Sequence, residues 1–195
     1  MTPTTQAGAR RWHLPVRHAL AGACFLGAIL LPAVAQAGPE LDRSDPTLTF
    51  EDGRLLHDGA PFSGRTHETR IDGTTLSESW RSGRRHGETT VFYPDGSIAE
   101  ARTFVDGNES GTSRGWWEDG APKFVYPFEE GLYEGEVIEW YRDGTTFRRF
   151  NYVAGKESGA QKMWDADGSL RANYVVRDGR RFGLIGTKGC TGGAS

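Results

Sequence analysis

Phe92-Tyr93, Trp116-Trp117 and Trp140-Tyr141 are adjacent aromatic pairs set 24 residues apart. Rings at a fixed spacing make and break no covalent bonds. They offer flat apolar area, electron-rich faces for cations, and a polar tip on Tyr and Trp. Neighbouring residues of a strand point to opposite faces, so one member of each pair can enter a core while the other stands on a surface. The column Phe92, Trp116, Trp140 and Trp164 is predicted as core, because a large ring recurs there in all four units. Tyr93, Trp117 and Tyr141 are then the predicted binding residues, a stripe ended by Asp165. Such a stripe can meet a protein, stack on sugars or cradle a quaternary ammonium group.

Other reactive residue types do not assemble in the sequence. Cys190 lies in a glycine-rich tail with no histidine near it, which argues against a nucleophile and leaves a bystander thiol or an intermolecular disulfide. His57, His67 and His86 have no metal-ligand spacing, and the Asp-Gly pairs lack the calcium-loop pattern. Glu129-Glu130 reads as solvated loop charge. No catalytic residue, metal or cofactor is therefore predicted, and the chain is read as a non-enzyme.

The rings must be placed by the glycines. Gly83, Gly107, Gly131, Gly155 and Gly179 recur every 24 residues, each followed four residues later by Gly87, Gly111, Gly135, Gly159 or Gly183. An Asp-Gly pair closes each interval, at Gly96, Gly120, Gly144 and Gly168. A fixed period of this kind marks a repeat architecture. Asp-Gly favours a two-residue type I′ turn, so each unit is predicted to be one β-hairpin. A second column, Trp80, Phe104, Phe128, Tyr152 and Val176, stacks three residues before each repeat glycine.

The fold is predicted to be all-β, a single antiparallel meander of about ten strands, with no helix outside the leader. Residues 47–185 form the repeat domain. It opens on a hairpin about Asp52-Gly53 and a cap unit at 59–82, and continues as repeats at 83–106, 107–130, 131–154 and 155–178. Residues 38–46 read as a linker, a last strand starts near Leu184, and 186–195 form a flexible tail.

Residues 1–37 have the form of a signal peptide. Arg10, Arg11 and Arg17 precede an apolar run from Ala19 to Val34, and Ala35-Gln36-Ala37 supplies the cleavage pattern. A periplasmic or secreted location follows, with a retained anchor as the alternative. All 26 acidic residues lie after residue 37, while three of the 23 basic ones lie before it. The remaining chain is acidic, which argues against a nucleic-acid partner.

The units G-x-x-x-G-x4-aromatic-x-D-G-x-hydrophobic at Gly83, Gly107, Gly131 and Gly155 resemble the MORN repeat, in the variant form of bacterial YwqK-type antitoxin repeat proteins. The resemblance covers roughly Gly59 to Gly183. It implies a β-repeat scaffold that binds an unidentified protein partner, in the cell envelope if the chain is exported, in the manner of an antitoxin or immunity protein. The alternative partner is an envelope ligand, either a membrane lipid headgroup or a cell-wall glycan.

Overall fold

The computed structural model describes residues 38–186; the predicted signal peptide, the residues from 187 onward and Cys190 lie outside the described residues. The strands are β1 (Glu40–Asp42), β2 (Leu48–Glu51), β3 (Arg54–His57), β4 (Ala60–Pro61), β5 (Gly64–Thr69), β6 (Thr75–Arg81), β7 (Arg84–Phe92), β8 (Ile98–Val105) and β9 (Asn108–Glu109). They continue as β10 (Gly111–Trp116), β11 (Pro122–Glu129), β12 (Leu132–Tyr133), β13 (Gly135–Trp140), β14 (Thr146–Val153), β15 (Lys156–Trp164), β16 (Leu170–Arg177) and β17 (Arg180–Leu184). The described residues contain no helix. The fold is the all-β repeat meander that the glycine period predicts. One long sheet runs β1-β5-β6-β7-β8-β10-β11-β13-β14-β15-β16-β17, and β2-β3-β4 form a small second sheet. β9 and β12 are the detached first residues of β10 and β13, still pairing with β8 and β11.

Three local expectations are corrected. The segment 38–46 is not wholly a linker: Glu40–Asp42 adds to β5 as a parallel edge strand. The last strand begins at Arg180, well before Leu184. The type I′ turn of each unit also lies at the repeat glycine and not at the Asp-Gly pair where it was expected. Type I′ geometry, with two consecutive positive φ values, belongs to Ser82-Gly83, Asp106-Gly107, Glu130-Gly131, Ala154-Gly155 and Asp178-Gly179. At Asp95-Gly96 only the glycine is left-handed, at φ 85°. There the Gly96 N–H donates to Tyr93 O at 2.9 Å and the Tyr93 N–H to Ser97 O at 2.8 Å, a type I turn closed by a bulge glycine. The aspartate is needed for another reason. Its Oδ1 accepts the Ser97 N–H at 2.9 Å and the Ser97 hydroxyl at 2.7 Å.

The type I′ turns bind the units together. The Gly107 N–H donates to Arg85 O, Gly131 to Glu109 O and Gly155 to Tyr133 O, all at 2.8–2.9 Å. These three glycine turns are thus each held by the preceding unit, 22 residues back, which gives a period of 24 its physical meaning.

Register decides which face is packed. Phe104 pairs with Gly87, Phe128 with Gly111, Tyr152 with Gly135 and Val176 with Gly159, so each large side chain lies across from a glycine that leaves it room. This face carries Thr89, Val91, Ser113, Phe124, Val137, Phe150, Gln161, Ala172 and Tyr174, all buried. Among the described residues no helix covers this face. A separate cluster of Leu55, Phe62 and Trp80 closes the N-terminal end, where the Trp80 indole N–H donates to Thr66 Oγ1 at 2.9 Å.

Candidate binding site at Trp117

Strand alternation from Thr89, Ser113 and Val137 carries Tyr93, Trp117 and Tyr141 onto the packed face, at its Asp-Gly turn end. The predicted division of the two columns is therefore reversed. Phe92, Trp116 and Trp140 take the opposite face, paired with Ile98, Pro122 and Thr146, while Tyr93, Trp117 and Tyr141 stand beside the core residues, and both columns are half-buried. The physical reason is the glycine opposite each second-column ring, which fixes the packed face on the parity of Gly87 and so of Tyr93.

A bulge brings further side chains to the same place. Val91 pairs with Glu100 and Phe92 with Ile98, which leaves Ala99 as an extra residue, and the same step recurs in the next three units at Lys123, Phe147 and Arg171. These residues lean on the aromatic column. Lys123 Nζ sits 4.7 Å from the Trp117 ring centre, Phe147 packs against Tyr141 at 5.2 Å, and Arg171 reaches Asp165 at 3.8 Å.

Equivalent positions in the column are not tied down equally. The Tyr93 hydroxyl crosses the intervening strand and donates to Trp116 O at 2.8 Å. One period further, the Tyr141 hydroxyl donates to Trp164 O at 3.0 Å. Between them Trp117 has no hydroxyl to give to Trp140 O, and its buried indole N–H has no hydrogen-bond partner among the described residues. At this missing tether lies a cavity of about 310 Å³, walled by Trp117, Phe124, Tyr126, Tyr141 and Phe147, with Lys123 and Glu139 at its polar positions. That volume is at the small end of ligand cavities, which span roughly 300–1,000 Å³.

The cavity walls are held from behind. A Cβ at Gly115 would overlap the Phe124 ring, so only glycine lets that ring lie down on the sheet. Phe124 stacks on Tyr126 with centroids 4.3 Å apart. The Tyr126 hydroxyl donates to Glu139 Oε1, which also accepts from Arg148. Burial, reinforced by the bond to Glu139, pushes the Tyr126 phenol far above its ordinary value, so it remains a donor throughout the physiological range. The Arg148 guanidinium lies 5.5 Å from the Phe150 ring centre and continues the brace along the face.

Residues 85–106 match the MORN repeat variant. The matched stretch is one unit of the period, and MORN repeats are a class of repeat-based binding and scaffold modules. No curated protein matches the chain. Among the described residues no group of three or more His, Cys, Asp or Glu side chains could hold a metal ion.

The sequence picks out Tyr93, Trp117 and Tyr141, and the structure brings two of them, Trp117 and Tyr141, to one cavity. Tyr93 belongs to the tether beside it. Lys123, Phe124, Tyr126, Glu139 and Phe147 were missed. Lys123 and Phe147 carry a usable signal, since both stand three residues after a turn glycine, in the bulge column.

Proposed function

We propose that this protein is an exported, non-catalytic binding scaffold for a partner in the cell envelope, and that it holds one group of that partner in the cavity between Trp117 and Tyr141. The supporting observation is the break in the tether. A repeat that ties Tyr93 and Tyr141 across the sheet leaves Trp117 with an indole donor that has no partner among the described residues, beside an aromatic-walled space. Repetition builds the frame, and the exception within it makes the site.

The MORN repeat at 85–106 supports the scaffold class, and the form of residues 1–37 supports export. An antitoxin or immunity role would use the same surface to neutralise a toxin acting in the envelope. A lipid headgroup or a wall glycan would use it as an attachment point.

Affinity capture from an envelope fraction tests the proposal. The wild-type chain should retain a stoichiometric partner that is lost when Trp117 and Tyr141 are both changed to Ala, with the hairpin fold intact by circular dichroism. Equal capture by the double variant would place the binding surface elsewhere.

A further inference from the structure

The cavity at Trp117 already contains a positive charge, and that charge belongs to the chain itself. Lys123 Nζ lies 4.7 Å from the indole centre and forms no salt bridge among the described residues. The other rings that line the cavity stand at several angles to one another: Tyr141 and Phe147 are inclined by 64°, while Phe124 and Tyr126 stack on each other 4.3 Å apart and together present one wall. On the carboxylate side, Glu139 Oε1 accepts from both Tyr126 and Arg148, and no hydrogen bond among the described residues uses Oε2.

We propose that this cavity recognises an alkylated ammonium, the trimethylammonium group of a choline-type compound, which displaces the Lys123 ammonium from the Trp117 face. The inference rests on the proposed binding site and names the chemical class that it takes. Trp presents the strongest cation-attracting face of the aromatic side chains, and several rings around one cation add their attraction. Lys123 is a poor final occupant. A primary ammonium carries three donors that need water or acceptors; on the Trp117 face the ring supplies none, and Lys123 forms no salt bridge to Glu139 among the described residues. A methylated ammonium has no N–H to satisfy and spreads its charge over methyl groups that pack against rings. It therefore gains the same attraction while giving up less hydration.

The replacement of Tyr by Trp at this point in the column fits the same reading. Tyr93 and Tyr141 give their hydroxyls to main-chain carbonyls, whereas the Trp117 indole N–H is buried without a hydrogen-bond partner among the described residues, a donor that an acceptor on the ligand would satisfy once the Lys123 side chain moves aside. In a choline phosphate that acceptor is the phosphate, and the displaced Lys123 ammonium can pair with it on the same side. A free or wall-linked phosphocholine and a phosphatidylcholine surface share this chemistry, and the test separates them.

The full chain is titrated with tetramethylammonium, sodium, inorganic phosphate, choline and phosphocholine, read by tryptophan fluorescence and calorimetry; sedimentation with phosphatidylcholine vesicles reports the membrane source. Tetramethylammonium and choline should bind saturably where sodium does not, and phosphocholine should bind more tightly than choline. Lys123→Met should raise tetramethylammonium affinity by about tenfold, because it removes the internal competitor. Trp117→Tyr should abolish the binding. Pelleting with vesicles assigns the group to lipid, and soluble phosphocholine binding without pelleting assigns it to a free or wall-linked source. Weaker tetramethylammonium binding in Lys123→Met, or binding of phosphate with none of tetramethylammonium, overturns the ammonium reading. If envelope capture still depends on Trp117 and Tyr141 in that event, the site stands and only its ligand class fails.

Discussion

The units at 83–106 and 107–130 share a backbone and differ in what their packed face holds. In the first, Val91 faces Glu100 across the hairpin, and Tyr93 is tied to the next unit through Trp116 O. In the second, Gly115 faces Phe124, whose ring lies where a side chain would stand, and the Trp117 indole N–H has no partner among the described residues. Both use the same turn: Gly96 N–H to Tyr93 O in one, and Gly120 N–H to Trp117 O in the other. A repeat frame can therefore be kept by its turns and its glycine loops while its side chains diverge. The first unit ties its column tyrosine to the next unit, and the second leaves an indole donor without a partner among the described residues beside a cavity.

The largest effect expected from exchanging these features is at Gly115. Gly115→Val gives the second unit the residue of the first, but the new side chain meets the Phe124 ring. Overpacking of this kind costs about 3 kcal/mol, measurable by urea denaturation, and it should open or erase the cavity. The reciprocal Val91→Gly meets no such ring and should cost about 1–2 kcal/mol, from lost side-chain contact and glycine's greater freedom. Equal costs for the two would remove the distinction between the units.

A smaller change tests the tether. Tyr93→Phe and Tyr141→Phe each lose a hydroxyl bond to a carbonyl and should each destabilise by about 1 kcal/mol. Losses well below that in both variants would mean that the tether carries no stability.

The smallest effect lies in the turns and depends on pH. Bonds from the Ser97 hydroxyl and N–H hold the Asp95 carboxyl below the ordinary carboxylate range, and the Ala121 N–H followed by Arg142 does the same for Asp119. Folded-state values below the unfolded one, about 3.9, mean that both contributions are complete above pH ~4 and are lost as the pH falls through the folded values. Asp119 is linked to Arg142 Nε at 3.0 Å on an exposed surface, so salt should screen part of its contribution. Acid unfolding should therefore lose some salt dependence in Asp119→Asn and keep it in Asp95→Asn. The same salt response in both variants would contradict this assignment.

The all-β meander was legible because Gly83, Gly107, Gly131 and Gly155 sit where consecutive positive φ angles are required, a demand that few residues meet. The turn types were harder to read. Asp-Gly suits two different hairpin turns, and the choice here depends on the Ser or Thr that follows, as at Ser97 and Thr145, whose hydroxyl binds the aspartate. The packed face was misread because aromatic recurrence alone does not say which column faces inward. The glycine opposite Phe104 and its equivalents does say so, once the register is known. Trp117 and Tyr141 were visible as candidates by their spacing. Lys123 and Phe147 reach the cavity through a bulge, a one-residue change in pairing that leaves no mark on hydrophobic periodicity.

The crystal structure of the Trp117→Tyr variant tests the missing tether most directly. The new hydroxyl should lie within about 3 Å of Trp140 O, as the hydroxyls of Tyr93 and Tyr141 lie against Trp116 O and Trp164 O, with the cavity beside Lys123 closed. A hydroxyl turned to solvent above an unchanged cavity would show that something other than the absent bond makes the site.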